Sequence, residues 1–331
     1  MKTKLELTQF IDKLRPFSRI IIQAHDFPDH DAVSSAFAFA ELLSHFDIET
    51  QLVYNGEIDR ISLSNMIDWL DIPIQHCSQV RLFPDDKIIT IDGCIGEKNV
   101  TDLPGEEIAV IDHHTVCPTK KLWFQDIRKH YGATATIIFE YFQLFDIELS
   151  QRAASALLIG LNIDTANMTR GFCQADLKSF IGLNVRADLP LVNKISRNSL
   201  VQYELDNFSD AFRQVTVING VATVLLDKAC PKNMLGIIGD FLLAVNEFEV
   251  VIVGVKQNGG LQLSFRSECP KVDVGELARV VLSNSRRGFG GGHRHMAGGL
   301  ILPEYVGVFA QKGKIFNPFI QQINLWRSQE S

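Results

Sequence analysis

Apolar residues along the chain fall into two successive rhythms. In the first, short continuous apolar runs alternate with stretches of helical spacing. The isoleucine-rich run 18–24 reads as a buried strand that stops at His25, and over 31–45 Val33, Phe37, Ala40, Leu42 and Leu43 recur at roughly helical intervals. Further strands are expected at 49–53, 87–91 and 108–111, and helices at 61–70, 132–144, 150–161 and 174–185. This alternation predicts an α/β domain on a mainly parallel sheet with helices on both faces.

After Asp188-Leu189-Pro190 the rhythm changes. Strands at 215–219, 221–226, 249–255, 261–265 and 300–302 surround helices at 234–245 and 272–282, and the tail 307–326 is helical in part. The shift divides the chain into a first domain at 1–193, a polar linker at 194–203 and a smaller second α/β domain at 204–331, set across a cleft from the first. No internal repeat or low-complexity tract appears.

Composition narrows the classes. Hydrophobic residues at 46% and charged residues at 21% over 331 positions are enough for two buried cores. No apolar run has transmembrane length and the first residues contain no signal-peptide core, so a cytoplasmic protein without a membrane role is expected. The cysteines Cys77, Cys94, Cys117, Cys173, Cys230 and Cys269 show no C-x-x-C spacing and are read as reduced. A net charge of −7 argues against long duplex nucleic acid, which is held by many Lys and Arg contacts to phosphate. A small anionic ligand in a local basic pocket is compatible with it, and a homodimer is left open.

Chemistry enters where the strands stop. The run 18–24 ends at His25 and is followed by Asp29 and Asp31; 87–91 ends at Asp92; 108–111 ends at Asp112-His113-His114; 150–161 runs into Asp164. These are read as four βα junctions on one rim, the edge where open α/β sheets place their clefts. A lone Asp at such a point is usually a helix cap. Several carboxylates and imidazoles converging on one point repel each other unless cations sit among them. The set suffices for two divalent ions, with Asp92 best placed to bridge them. Mixed Asp and His donors favour Mn²⁺ and leave Mg²⁺, Co²⁺ or Zn²⁺ open. Two such ions about 4 Å apart would activate a shared water toward a phosphoester.

His25-x-x-Pro28-Asp29-x-Asp31-Ala32, the isolated Asp92, Asp112-His113-His114 and Asp164-Thr165 resemble the four motifs of the DHH phosphoesterase superfamily. Gly290-Gly291-Gly292-His293-x-x-Met296-Ala297-Gly298 is similar to the signature of its DHHA1 substrate domain. The resemblance runs in order over nearly the whole chain. It implies that His25, Asp29 and Asp92 hold one metal and that Asp31, Asp92, His113 and Asp164 hold the other. It implies further that His114 faces the scissile phosphate with Asp112 supporting the cluster. In the second domain it implies substrate contacts from Arg266, Ser267, Gly291, Gly292, His293, Arg294 and His295, with the glycines read as a loop open to a phosphate.

Within that superfamily the chain is most similar to the stand-alone nanoRNase and pAp-phosphatase branch. This implies hydrolysis of very short oligoribonucleotides, dinucleotides such as pGpG included, to 5′-mononucleotides. The alternatives are a pAp 3′-phosphatase, a cyclic-dinucleotide phosphodiesterase and, outside enzymes, a nucleotide-binding regulator. Ser34 in place of a common Gly is a harmless departure at a helix start, whereas Ala166-Asn167-Met168 after Asp164-Thr165, and His295-Met296, depart from the family pattern where substrate identity would be read.

Overall fold

The computed structural model describes residues 2–97, 99–115, 118–197, 199–228, 230–310 and 315–328. Two compact units emerge, Met1–Ser199 and Leu200–Ser331. The dividing point lies within the segment expected to be a linker, although the start of that segment is helical.

Unit 1 is built on strands β1 (Ile20–Ala24), β2 (Thr50–Tyr54), β3 (Ile74–His76), β4 (Lys87–Ile91), β5 (Glu106–Asp112) and β6 (Phe124–Ile127). All neighbours are parallel, in the order β3-β2-β1-β4-β5-β6. Its helices are α1 (Lys4–Leu14), α2 (His30–Ser44), α3 (Ile61–Trp69), α4 (Thr134–Phe145), α5 (Gln151–Asp164), α6 (Gln174–Asn184) and α7 (Leu189–Arg197). Four of these elements, α1, α7, β3 and β6, add to the sequence reading. A capping box starts α1, Thr3 and Glu6 exchanging hydrogen bonds across the first turn.

The strand order reverses between β1 and β4, so the carboxyl ends of these two strands open onto the crevice of the sheet. Right-handed crossovers leaving this point in opposite directions run over opposite faces. Those on the β1 side carry α2 and α3, and all seven helices of the unit pack on that one face, against Ile20, Ile22, Leu52, Ile89, Ile91 and Ile111. The β4-to-β5 and β5-to-β6 connections contain no α-helix among the described residues. Their Cys94, Leu103 and Leu122, together with Val80 and Leu82, cover Ile21, Val53, Ile88 and Val110 on the other face. Helices on both faces, as expected from the alternation, are therefore not found; loops replace the second layer.

Helix α5 lies directly on α2, and Gly160 permits the approach. A Cβ added there would stand 2.9 Å from the Asp31 Cα and 2.5 Å from the Ser34 Oγ.

Unit 2 contains α8 (Leu205–Gln214), β7 (Thr216–Ile218), β8 (Val221–Leu226), α9 (Lys232–Leu243), β9 (Val250–Gln257), β10 (Gly260–Ser267), α10 (Val274–Ala278), β11 (Gly288–Gly292), β12 (Met296–Ile301), α11 (Pro303–Ala310) and α12 (Asn317–Ser328). Its mixed sheet runs β11-β12-β10-β9-β8-β7, with β8 and β9 parallel and the other pairs antiparallel. Along β9, Val250 and Ile252 face the core shared with α10 and α12, whereas Val251, Val253 and Val255 face α8 and α9. Both faces are covered, which is why this strand reads as one unbroken apolar run.

Replacing Gly160 by Val forces α5 off α2, and overpacking of this kind costs about 1–3 kcal/mol. The urea midpoint of the transition that unfolds unit 1 is expected to fall accordingly, and an unchanged midpoint would contradict the crossing described.

Candidate metal centre

Three of the acidic stops do end strands. His25 follows β1, Asp92 follows β4, and β5 ends on Asp112 with His113 and His114 next. Asp29 caps α2, accepting a hydrogen bond from the Ala32 N–H at 3.0 Å, and Asp31 lies in the first turn of that helix. Asp164 differs from the expectation of a fourth βα junction: it is the last residue of α5, a helix end. It reaches the same rim because α5 runs along α2.

The structure brings His25, Asp29 and Asp92 into one group, and Asp31, His113 and Asp164 into a second. Within the first, His25 Nε2 lies 3.7 Å from both Asp29 Oδ1 and Asp92 Oδ2. Around the second, His113 Nε2 lies 3.5 Å from Asp164 Oδ2, 3.5 Å from Asp92 Oδ1 and 4.0 Å from Asp31 Oδ2. A single carboxylate, Asp92, thus turns one oxygen toward each imidazole. These separations are too long for hydrogen bonds and are those of donor atoms arranged around a common point.

The tautomers are settled by what the other ring nitrogens touch. His25 Nδ1 lies 2.9 Å from the Asp26 carbonyl oxygen and His113 Nδ1 3.1 Å from that of Tyr131. A carbonyl only accepts, so each Nδ1 donates and each Nε2 faces the cluster, offering a lone pair once its proton has left. His114 is turned differently: its Nδ1 donates to Asp112 Oδ1 at 2.9 Å, and its backbone N–H donates to the same oxygen at 2.8 Å. Its side chain is 36% exposed, against 8% for His113, so it forms the outer edge of the group.

Asp92 Oδ2 and His113 Nε2 are buried without a hydrogen-bond partner in the protein. Buried polar atoms are rarely left so, and unpartnered O and N donors aimed at one point fit a hard or borderline divalent cation. The charge state points the same way. Burial, then the charges of Asp92 and Asp164, push the Asp31 carboxyl well above its ordinary range. Burial likewise raises Asp92, and burial followed by the Asp29 charge lifts Asp164 to about 6. Burial opposes charging of His25, but the carboxylates of Asp29 and Asp92 outweigh it and raise the imidazole to about 10. Protein groups alone therefore satisfy this cluster by retaining protons.

The neighbouring His30 stands apart. It is buried with Nε2 3.0 Å from the Ser62 hydroxyl, and burial followed by the charge of Arg60 lowers it to about 3, so it is neutral.

Sequence reasoning missed the support beneath the cluster. The first N–H groups of α4, on Thr134 and Ala135, donate to the two Asp31 oxygens at 2.6 and 2.9 Å, and the Thr134 hydroxyl donates to Asp92 Oδ1 at 2.7 Å. A second buried carboxylate, Asp176, fixes the start of this helix by accepting from the Gly132 N–H, the Thr136 hydroxyl and the Cys173 N–H. The Gly-Ala-Thr-Ala-Thr opening was visible in the sequence, but not which threonine meets which aspartate. Phe27 was also passed over; it lies between His25 and Asp29 with φ at +52°.

The second-unit residues depart further from expectation. The glycine run is strand β11, paired with β12, rather than a loop. A Cβ on Gly290 would meet the Ala278 carbonyl oxygen at 2.8 Å, whereas Gly291 borders open space. The turn His293-Arg294-His295 is tied down: the Ser267 N–H donates to the His295 carbonyl and the Val274 N–H to that of Arg294, each at 3.0 Å. Arg294 reaches the Pro270 carbonyl, and Gly292 pairs with Ala297. Arg266 is buried and donates to Asp240 at 2.6 Å, to the Ser264 hydroxyl and to the Phe265 carbonyl. A buried guanidinium requires such a counter-charge. The Ser267 hydroxyl donates to the Val272 carbonyl and accepts from the Cys269 N–H, which closes the turn after β10.

Cys77, Cys173, Cys230 and Cys269 are free thiols and Cys94 is buried; Cys117 lies outside the described residues. No helix among the described residues is long and apolar enough to cross a membrane.

Residues 19–161 match the N-terminal domain of the DHH family, and residues 218–311 match the DHHA1 domain. The chain carries the two domains of the DHH/DHHA1 family. The relationship inferred from the motifs therefore holds. An uncharacterized protein of Methanocaldococcus jannaschii is 26% identical over 307 residues, covering 92% of this chain and 61% of its own length. A probable manganese-dependent inorganic pyrophosphatase of Lactiplantibacillus plantarum is 24% identical over 152 residues, 45% of this chain and 48% of its own. This chain thus spans about three fifths of the first relative and about half of the second. An exopolyphosphatase-related protein from Bacteroides fragilis shares the fold, with a TM-score of 0.77 at 17% identity over 98% of each chain.

Two outcomes follow for the family member. Thr134→Val keeps the shape but removes the donor to Asp92, and loss of such a supporting contact weakens metal affinity about 10- to 100-fold. Titration calorimetry with Mn²⁺ measures this, and an affinity equal to the parent's would contradict the role. The raised pKa values of His25 and Asp164 mean that protons must leave as a cation enters. Mn²⁺ binding at neutral pH is expected to release protons and to weaken as pH falls, as read by calorimetry in buffers of different ionisation enthalpy.

Proposed function

We propose that the protein is a two-metal phosphodiesterase acting on very short oligoribonucleotides, dinucleotides such as pGpG included, and releasing 5′-mononucleotides. The observation that carries this reading is Asp92, with one oxygen toward His25 and the other toward His113. A shared carboxylate between two three-residue donor groups is what a pair of divalent cations requires. The oxygen and imidazole donors suit Mn²⁺, and a relative's description as probably manganese-dependent supports the same ion.

His25, Asp29 and Asp92 would hold one cation, and Asp31, Asp92, His113 and Asp164 the other. When bound, the cations would supply Lewis acidity toward a phosphoryl oxygen and lower the pKa of an attacking water. The chain's own residues do the rest. The Asp26 and Tyr131 carbonyls hold the two imidazoles in the ligating tautomer. Asp112 orients His114 and favours its protonated form, and this half-exposed ring is placed to donate to a phosphate oxygen as negative charge builds there.

A short substrate is supported by the net charge of −7, which gives no broad basic surface for a long polyanion. In unit 2, His293, Arg294 and His295 lie at the tip of the β11–β12 hairpin beside Gly291. They are the anion contacts we propose there, whereas Arg266 is neutralised by Asp240 and would act only once that pair opened.

The test is turnover of pGpG, a ten-nucleotide RNA, pAp, a cyclic dinucleotide and inorganic pyrophosphate, with and without Mn²⁺. Mn²⁺-dependent release of GMP from pGpG is expected, reduced at least about a hundredfold in Asp92→Asn and His113→Ala, which remove direct ligands. Preference for pAp or pyrophosphate, or turnover unaffected by these changes, would overturn the reading.

A further inference from the structure

Phe27 occupies an unusual position. Its ring is 56% exposed and its backbone takes φ of +52°. A bulky side chain rarely adopts this left-handed region, and Pro28, which follows, pushes its predecessor toward extended backbone instead. Two steric preferences are overruled at one residue, while more than half of the ring stays exposed. Strain of this kind persists only where the surroundings enforce it, and it concentrates at sites of ligand handling.

The enforcement is visible. The Phe27 N–H donates to the Asn55 carbonyl at 2.8 Å and the Asp26 N–H to that of Asn99 at 2.6 Å. The Asp26 carboxylate accepts from the Thr101 N–H at 3.1 Å and its hydroxyl at 2.7 Å, while the Asn55 amide donates to that hydroxyl at 2.9 Å. Gly56 leaves the room, since a Cβ there would lie 2.9 Å from both the Phe27 nitrogen and its Cδ1. Three connections of unit 1 thus cooperate to hold an exposed aromatic ring in a strained backbone. A single residue separates Phe27 from His25 on one side and from Asp29 on the other, so either Cα is two steps away, at most about 7.6 Å of chain. That is comparable with the distance between a nucleotide's phosphate and its base.

We propose that the Phe27 ring is a stacking surface for a nucleobase of the substrate, and so a residue that makes the metal centre select nucleotides over baseless phosphoesters. This rests on the phosphodiesterase reading above. Stacking tolerates any base, because each offers a π face; the proposal therefore predicts nucleotide selectivity without base selectivity.

The test compares the full chain with Phe27→Ala, Phe27→Trp and Phe27→Gly in Mn²⁺, using pGpG and the abasic analogue of the same dinucleotide. Equilibrium binding of a phosphorothioate dinucleotide is measured in parallel. Phe27→Ala is expected to raise KM for pGpG about tenfold, the loss of one stacked base, and to raise it far less for the abasic analogue. Phe27→Trp retains the parent KM. Phe27→Gly relieves the backbone, raising Tm while losing the same affinity, which separates the ring's role from the fold's. Equal KM for parent and Phe27→Ala on pGpG overturns the inference and leaves the phosphodiesterase reading intact. Absence of turnover in the parent removes that reading, and the binding measurement then decides: weaker binding by Phe27→Ala supports the stacking role, and equal binding, or none by either protein, overturns it.

Discussion

Like charge withdrawn from water is the constraint that organises unit 1. Asp31, Asp92 and Asp112 are fully buried, and Asp164 is only slightly exposed. Several kcal/mol per ion would be lost if such carboxylates had no compensation. The fold supplies part of it through backbone. Both Asp31 oxygens receive N–H groups from the start of α4, where the helix dipole is positive, and Asp29 caps the start of α2. Asp112 spends one oxygen on two donors of His114. Within the cluster, what stays uncompensated falls on Asp92 Oδ2, Asp112 Oδ2 and His113 Nε2, which are buried without a hydrogen-bond partner among the described residues. The demand for cations is therefore local, and it falls at the point where the sheet's strand order reverses.

Asp164 shows the same logic from the opposite side. It ends α5, where the helix dipole is negative and a carboxylate is disfavoured. The group that meets its charge is His113, 3.5 Å away. A ligand placed at the unfavourable end of a helix is held there by packing, which makes the close α2–α5 crossing at Gly160 part of the site's construction.

The strand ends were legible because the parallel strands are buried on both faces, so their apolar runs are unbroken and a polar residue marks the stop. The helix before Asp164 was expected, and its end was grouped with the βα junctions because it shows the same apolar-to-acidic transition as the strand ends. Helices on both faces were expected from alternation alone; the 92–105 connection, covering one face with Leu103 and Cys94, carries no periodicity to reveal itself. Strand β11 was hidden for a different reason. Gly-Phe-Gly-Gly-Gly has neither β-propensity nor alternation; it pairs with β12, and close neighbours leave no room for a side chain at Gly288, Gly290 or Gly292. Thr134 and Asp176 lay in plain view, but a hydroxyl's partner is a tertiary fact.

In unit 2 the same distinction separates residues that build from residues that can bind. Gly290 and Gly292 are small because neighbouring backbone demands it, and Ser267 is occupied in a turn. Arg266 keeps its charge at the cost of a bound Asp240, whose side chain is 47% exposed against 9% for the arginine. A partner that is itself half in water is held weakly. An incoming phosphate, carrying more charge and more acceptor oxygens than a carboxylate, could compete for that guanidinium where a neutral ligand could not. On the proposed reading the pair would act as a filter for anions: Asp240 satisfies Arg266 in this structure, and a phosphate would have to displace that partner.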